Sequence, residues 1–297
     1  MTPVKVSKDA GQISMPVQEY APVFTIFRRF LRKKTAVAGL IVFALICLAC
    51  IFAPFLTKWN YYTVNVALVR EQPSLEHLFG TDSLGRDVLT RMLYGGRFTL
   101  GIAFISTSLA AIAGCITGII SGYAGKIADI IISPVLDILD SIPVVVLALV
   151  FEAVFGWGRG YFMYAIAIAS MPKFTQLVRG CVINTMECAY IEAARALGVG
   201  HLRIITRHIF RNVISPLIIR YSVGMAEVIM TCTIMGYLSI GITPPIPEWG
   251  AIVFGSSSLI LTRPIMVVLP CAMIAFCLIS LNFFSDGLRD ALNDTLQ

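Results

Sequence analysis

The sequence predicts an all-α polytopic membrane protein with six transmembrane helices, and three observations predict it. Hydrophobic residues make up 57% of the 297 positions and charged residues only 13%, where soluble domains carry roughly a quarter charged residues. Apolar runs about 20 residues long, enough to cross a bilayer, recur along the chain. The basic residues gather in every second connecting segment, the pattern that orients helices in a membrane. The formal charge of +6 therefore follows membrane sidedness and does not point to nucleic acid.

The elements follow in order. Residues 1–27 read as a loose polar tail with Pro3, Pro16 and Pro22 and little periodicity. A cationic run, Arg28 to Lys34, meets the first apolar stretch, 37–56. That stretch is too long for a signal-peptide core and no small-residue cleavage site follows, so a retained anchor is expected. Trp59, Tyr61 and Tyr62 then sit where an interfacial aromatic belt belongs. Further spans are expected at 98–122, 132–155, 161–180, 215–238 and 264–285. Pro134, Pro143 and Pro216 lie inside two of them, which membrane helices tolerate when neighbours satisfy the freed backbone groups. The stretch 239–263 is apolar but broken by Pro244, Pro245, Pro247 and Gly250. It reads as a surface or re-entrant segment.

The chain thus divides into a tail, 1–36, a first helix with an exterior segment, 37–97, a five-helix core, 98–285, holding a loop at 181–214, and a second tail, 286–297. With the N-terminus inside, 16 of the 23 basic residues fall on the inner side and 7 on the outer. The positive-inside rule then places both termini and the 181–214 loop in the cytoplasm. Asp82 and Asp87 partly neutralise the outer cluster Arg86, Arg91 and Arg97. None of the eight cysteines falls in 57–97 and most sit in apolar runs, where cysteine behaves as a small hydrophobe.

Several chemistries are excluded. The nearest approach to a phosphate-binding loop is Gly125-Lys126, but Ile127 follows where Ser or Thr would bind magnesium, and Ile120 takes the first glycine position. There is no G-x-S-x-G elbow and no H-E-x-x-H helix. No catalytic residue is expected, and any energy must come from a partner. His201 and His208 are seven apart in a basic stretch, and packing or capping outweighs metal binding there.

The loop at 190–210 stands out. Tyr190 and Glu192 open a helix, where a carboxylate suits the positive end. Ala193, Ala194 and Ala196 leave a flat surface, Leu197 follows, and Gly198 fits a left-handed stop. Arg203, Arg207 and His208 belong to a second helix. Two readings stand: a docking surface for a partner, or a solvated basic loop that holds orientation.

The Glu192-Ala193-Ala194 triplet, with Gly198 and the 204–209 helix, resembles the cytoplasmic coupling loop of ABC importer permeases. Four more stretches resemble the peptide and nickel branch of that family: His77 to Asp87, Arg97 to Gly101, Pro244 to Ala251 and Asp286 to Leu292. The resemblance covers about residue 28 to 292 and fits the C-type permease. It implies a type I importer permease fold in a prokaryotic cell membrane. The implied partners are a second homologous permease, two ATPase subunits that carry ATP and Mg, and an extracytoplasmic binding protein. The cargo would be a peptide or, alternatively, a nickel chelate. The chain departs from the family at Arg211, where proline is usual, and at Cys232, where glutamate is usual.

Asp137 and Asp140 share a helix face at spacing i, i+3, and Glu227 and Asn282 lie in later spans. Buried carboxylates face a bundle interior, water or a partner. These residues either line a translocation path or, for the aspartates, pair with Arg179. On the outer side Asp82, Arg86 and Asp87 either meet a delivery protein or tie their segment to its own helices. Glu248 and Trp249 are expected, by resemblance, in a lid or docking surface. An ion-driven secondary transporter would need its own coupling-ion site and inverted repeats, and no convincing repeat is visible.

Overall fold

A computed structural model describes residues 23–155, 159–241 and 244–293. Its regular structure is helical, with no strand among the described residues. In order the helices are α1 (Val23–Arg32), α2 (Lys34–Ile51), α3 (Ala53–Leu56), α4 (Val88–Tyr123), α5 (Lys126–Ser141), α6 (Val144–Phe155), α7 (Arg159–Met186), α8 (Ala189–Ala196), α9 (His201–Arg203), α10 (Phe210–Tyr237), α11 (Trp249–Ser256) and α12 (Ile265–Asn293). Among the described residues, α2, α4, the run His201–Tyr237 and α12 are each long and apolar enough to cross a membrane. The pair α5–α6 makes a fifth if it counts as one broken span. The remaining expected span, 161–180, falls on α7, which is long enough but is interrupted by Lys173, Gln176 and Arg179.

Three details correct the sequence reading. Residues 23–27, expected in the loose tail, belong to α1. Helix α4 starts ten residues earlier than the expected span, because Asp87 caps it by accepting from the Thr90 amide at 2.7 Å. Arg91 and Arg97 therefore ride on α4 and not on a loop. The third span is not straight: α5 and α6 meet at 95°. Pro143 forces the preceding residue out of the helical region, and Ile142 is extended at φ −86°, ψ 124°.

The second coupling helix does not stop, the continuation that the departure at Arg211 leaves open. With Arg211 in place of proline no backbone donor is lost, and His201 to Tyr237 is one continuous run. Ile204–Ile209 within it is π-helical. That wider winding turns Ile204 and Ile209, five residues apart, toward the same core, where both are fully buried.

The bundle is held by close helix contacts. Gly114, Gly118 and Gly122 form a stripe along α4 that meets Phe174, Val178 and Val182 of α7. Small residues let membrane helices approach this closely. The main core gathers Ile46, Phe162, Ile229, Met235, Trp249 and Cys277 from α2, α7, α10, α11 and α12. A second cluster under the hook unites Val178 and Val182 with Ile191, Ile204, Ile209 and Val213.

Candidate functional site

Three places carry the chemistry that the sequence singles out. The first is the hook, α8 to α9. Ile191 is its buried anchor. Around it Tyr190, Glu192, Ala193, Ala196, Leu197, Arg203 and Arg207 are exposed, and Ala194 and His208 are half-buried. Leu197 and Leu202 stand 85% and 75% clear of the fold, an unusual exposure for two leucines on one short loop. Helix α8 stops as the sequence requires. Gly198 takes φ +76°, and the Val199 and Gly198 amides donate back to the Ala194 and Arg195 carbonyls at 3.0 and 2.9 Å.

The hook is fixed to the bundle from both sides. The Asn212 amide of α10 donates to Tyr190 Oη at 2.9 Å and to Thr185 Oγ1 of α7 at 3.2 Å. Partial burial pushes the Tyr190 phenol above its ordinary value, against the pull of that amide donor. His201 Nδ1 lies 2.6 Å from Tyr123 Oη at the end of α4, and the His208 ring lies 6.0 Å from that of Tyr190. Both histidines are thus occupied in packing. Glu192 lies in the first turn of α8 and is exposed.

The second place is a charged cluster inside the helices. Arg220 grips Glu227 with both terminal nitrogens, at 3.1 and 3.0 Å, one face of α10 carrying both residues. Lys173 of α7 reaches the same carboxylate at 3.1 Å. Lys173 and Glu227 border a cavity of about 270 Å³ whose wall also includes Val144, Ser170 and Thr231. Lys173 and Arg220, both counted above among the inner-side basic residues, therefore lie within α7 and α10. Both signals are present in the sequence: a lysine within an apolar run, and an arginine seven residues, two helical turns, before a glutamate.

The other expected pathway residues do not join this cluster. Asp137 and Asp140 are exposed on α5, and Asn282 is exposed on α12. Arg179 does not pair with either aspartate. Its guanidinium closes instead on both oxygens of Asp129, which Ser121 and Ser133 also hold at 2.7 and 2.8 Å. That pair ties α5 to α7 across 50 residues of sequence.

The third place joins the segment before α4 to α11. Asp82 accepts from the Leu84 and Arg86 amides and pairs with Arg86 Nε at 2.8 Å and Arg91 Nε at 3.5 Å. Asp87 pairs with His77 at 2.9 Å while capping α4. Trp59 stacks on that histidine, ring centres 4.6 Å apart. These acids are engaged within their own segment. Glu248 and Trp249 are equally inward. Trp249 is fully buried and donates to the Met92 carbonyl at 2.9 Å. Glu248, 1% exposed, caps α11 through the Ala251 amide at 3.0 Å and accepts from Thr99 Oγ1 of α4 at 3.1 Å. Burial pushes its carboxyl up to about 7 in spite of those donors. Its second oxygen lies against Gly236, 1.6 Å from where a Cβ there would sit. Cys232, one turn back on α10, is buried. The carboxylate absent from position 232 thus has a spatial neighbour contributed by α11.

The comparisons with known proteins agree with this architecture. Residues 114–297 match the family described as binding-protein-dependent transport system inner membrane component. The chain belongs to that family. Residues 23–73 match a second model, the N-terminal TM domain of oligopeptide transport permease C. The dipeptide transport system permease protein DppC of Alkalihalophilus pseudofirmus is 37% identical over 271 residues, covering 91% of this chain and 89% of that protein. The glutathione transport system permease protein GsiD of Pectobacterium atrosepticum is 35% identical, covering 91% and 90%. Among solved structures, the MetNI methionine ABC transporter in an inward-facing form superposes with a TM-score of 0.55 at 16% identity, over 68% of this chain and 96% of that one. That likeness shows the fold of a type I importer permease. The chain is a multi-pass membrane permease component of an ABC importer, it is not an enzyme, and it works with an ATPase partner.

Proposed function

We propose that this permease forms half of a translocation path for di- and oligopeptides and takes its driving force through the 190–210 hook. A second homologous permease would form the other half. Two ATPase subunits would hold ATP and Mg, and a binding protein would deliver cargo on the side opposite the hook. Both termini would share the hook's side, the cytoplasm, as the basic residues favour. The peptide cargo is supported by the names of the relatives. The coupling role is supported above all by one observation: the hook is anchored by buried Ile191, Ile204 and Ile209 yet leaves Glu192, Ala193, Ala196, Leu197 and Leu202 exposed. An anchored, low-relief tip fits a groove on another chain.

The two arms of the loop lead directly into α7 and into the continuous run ending at Tyr237. A pull on the hook by closing ATPases would lever both helices at once and bias the permease between two states. Glu192→Arg is expected to abolish uptake while leaving membrane insertion intact, and Ala193→Trp to lose the ATPase on purification. Normal uptake by the first variant would overturn the coupling role. Labelled di-, tri- and pentapeptides assayed beside nickel fix the cargo: accumulation of nickel alone would replace the peptide reading. Uphill accumulation by the chain alone in liposomes would replace it with an ion-driven transporter.

A further inference from the structure

We infer that the cavity bordered by Lys173 and Glu227 is a station for the cargo's terminal carboxylate, with Lys173 as the group that changes partner. The inference rests on the peptide reading above and adds the chemical group recognised inside the path. All three charges lie well within their helices, Lys173 in the middle of α7 and Glu227 past the middle of α10. Lys173 and Glu227 are 45% and 44% exposed there. Charges in that position are costly against hydrocarbon and face water or protein instead. The cavity they border holds about 270 Å³, room for roughly nine waters at liquid density, or for the end of a peptide.

The partners are not equivalent. Arg220 and Glu227 belong to one helix and lock through two parallel hydrogen bonds, a geometry that any rigid motion of α10 preserves. Phe174 lies beneath that guanidinium at 5.5 Å. Lys173 instead crosses from α7, through a single 3.1 Å contact. A lysine ammonium has three donors and a flexible stem. Two cations face one anion, so the cluster carries one positive charge in excess. A second carboxylate entering the cavity balances it, taking Lys173 while Arg220 keeps Glu227. The Ser170 and Thr231 hydroxyls stand on the same wall. When α7 and α10 return to the distance seen here, Glu227 recaptures the ammonium and expels the cargo's carboxylate. No bond is made or broken beyond these hydrogen bonds.

The test uses the complete transporter in proteoliposomes, with its binding protein saturating. Uptake of trialanine is compared with that of trialanine amide, in the wild type, in Lys173→Gln and in Lys173→Gln/Glu227→Gln. The double variant keeps the net charge of the cluster, so a preference set by net charge alone would survive in it. The wild type is expected to favour the free acid, and the preference to fall by about tenfold in both variants, the size of one charge-assisted hydrogen bond. Wild-type preference retained in the double variant would show an ion pair that only holds helices together. Equal wild-type uptake of acid and amide would also overturn the inference while leaving the peptide reading intact. Uptake of neither peptide by the wild type would remove the peptide reading itself.

Discussion

The glycine stripe of α4 gives the sharpest test of the packing. A Cβ at position 118 would lie 2.7 Å from Val178 Cβ and 2.8 Å from the Thr175 carbonyl of α7. At position 122 it would lie 2.8 Å from Val182 Cβ, and at 114 it would lie 2.5 Å from Phe174 Cβ. These neighbours are backbone or the stiff root of a side chain, so the helices themselves must part. Over-packing of this kind costs about 1–3 kcal/mol per site. Gly101 on the same helix has nothing within 4 Å, and alanine there is the control. Gly118→Ala should lower the denaturation temperature in detergent, on the order of 2–4 °C for each kcal/mol lost, while Gly101→Ala should lower it not at all. Gly118→Leu should prevent assembly. If Gly118→Ala and Gly101→Ala melt together with the wild type, α4 and α7 are not in the contact described.

Three further outcomes are expected. Glu248 holds its proton more tightly in the folded chain than in the unfolded one, so its contribution is full below about pH 4.5 and is lost as the pH climbs through about 7. The span is worth about 3 kcal/mol, and Glu248→Gln should flatten the fall in melting temperature over that window. Arg179→Ala should destabilise the α5–α7 contact, and adding Asp129→Asn should recover part of the loss, since the lone carboxylate is then removed. A double-mutant cycle on melting temperature reads the coupling directly. Asn212→Ala frees Tyr190 from its donor and should cost about 1 kcal/mol and weaken ATPase retention, as read by co-purification.

Much of this was legible in the sequence, and the failures share a cause. Gly198 announces the end of α8 because only a residue without Cβ takes φ +76° cheaply. The α5–α6 break is announced by Pro143, but its 95° angle depends on packing that no local signal encodes. Arg91 and Arg97 hide the start of α4, since two arginines beside Gly95 and Gly96 look like a loop. The compensation comes from Asp82 and from Trp249, whose ring lies 2.6 Å from where a Cβ on Gly96 would sit. Lys173 and Arg220 are counted on the inner side when charges are sorted by the nearest span end, although Arg220 and Glu227 share a helix face. Asp129 and Arg179 are 50 residues apart, and only the docking of α5 on α7 brings them together.

The hook and the charged cavity lie along the same two helices. Helix α7 runs from Lys173 to Met186 beside the hook, and the continuous run ending at Tyr237 carries Glu227 from His201. At 1.5 Å per residue Lys173 lies roughly 20 Å above the end of its helix, so a relative tilt of about 10° displaces it by roughly 3–4 Å. That displacement exceeds what a 3.1 Å contact with Glu227 survives, whereas the Arg220–Glu227 bonds, within one helix, are untouched by it. Val178 and Val182 of α7 share a buried cluster with Ile204, Ile209 and Val213, so the hook ends of the two helices move as one body. Any relative tilt of the two helices would therefore be largest away from the hook, toward the cavity. On the proposed coupling, a small motion imposed at the hook would change the partner of one particular lysine and so carry a force applied outside the lipid to a charge within it.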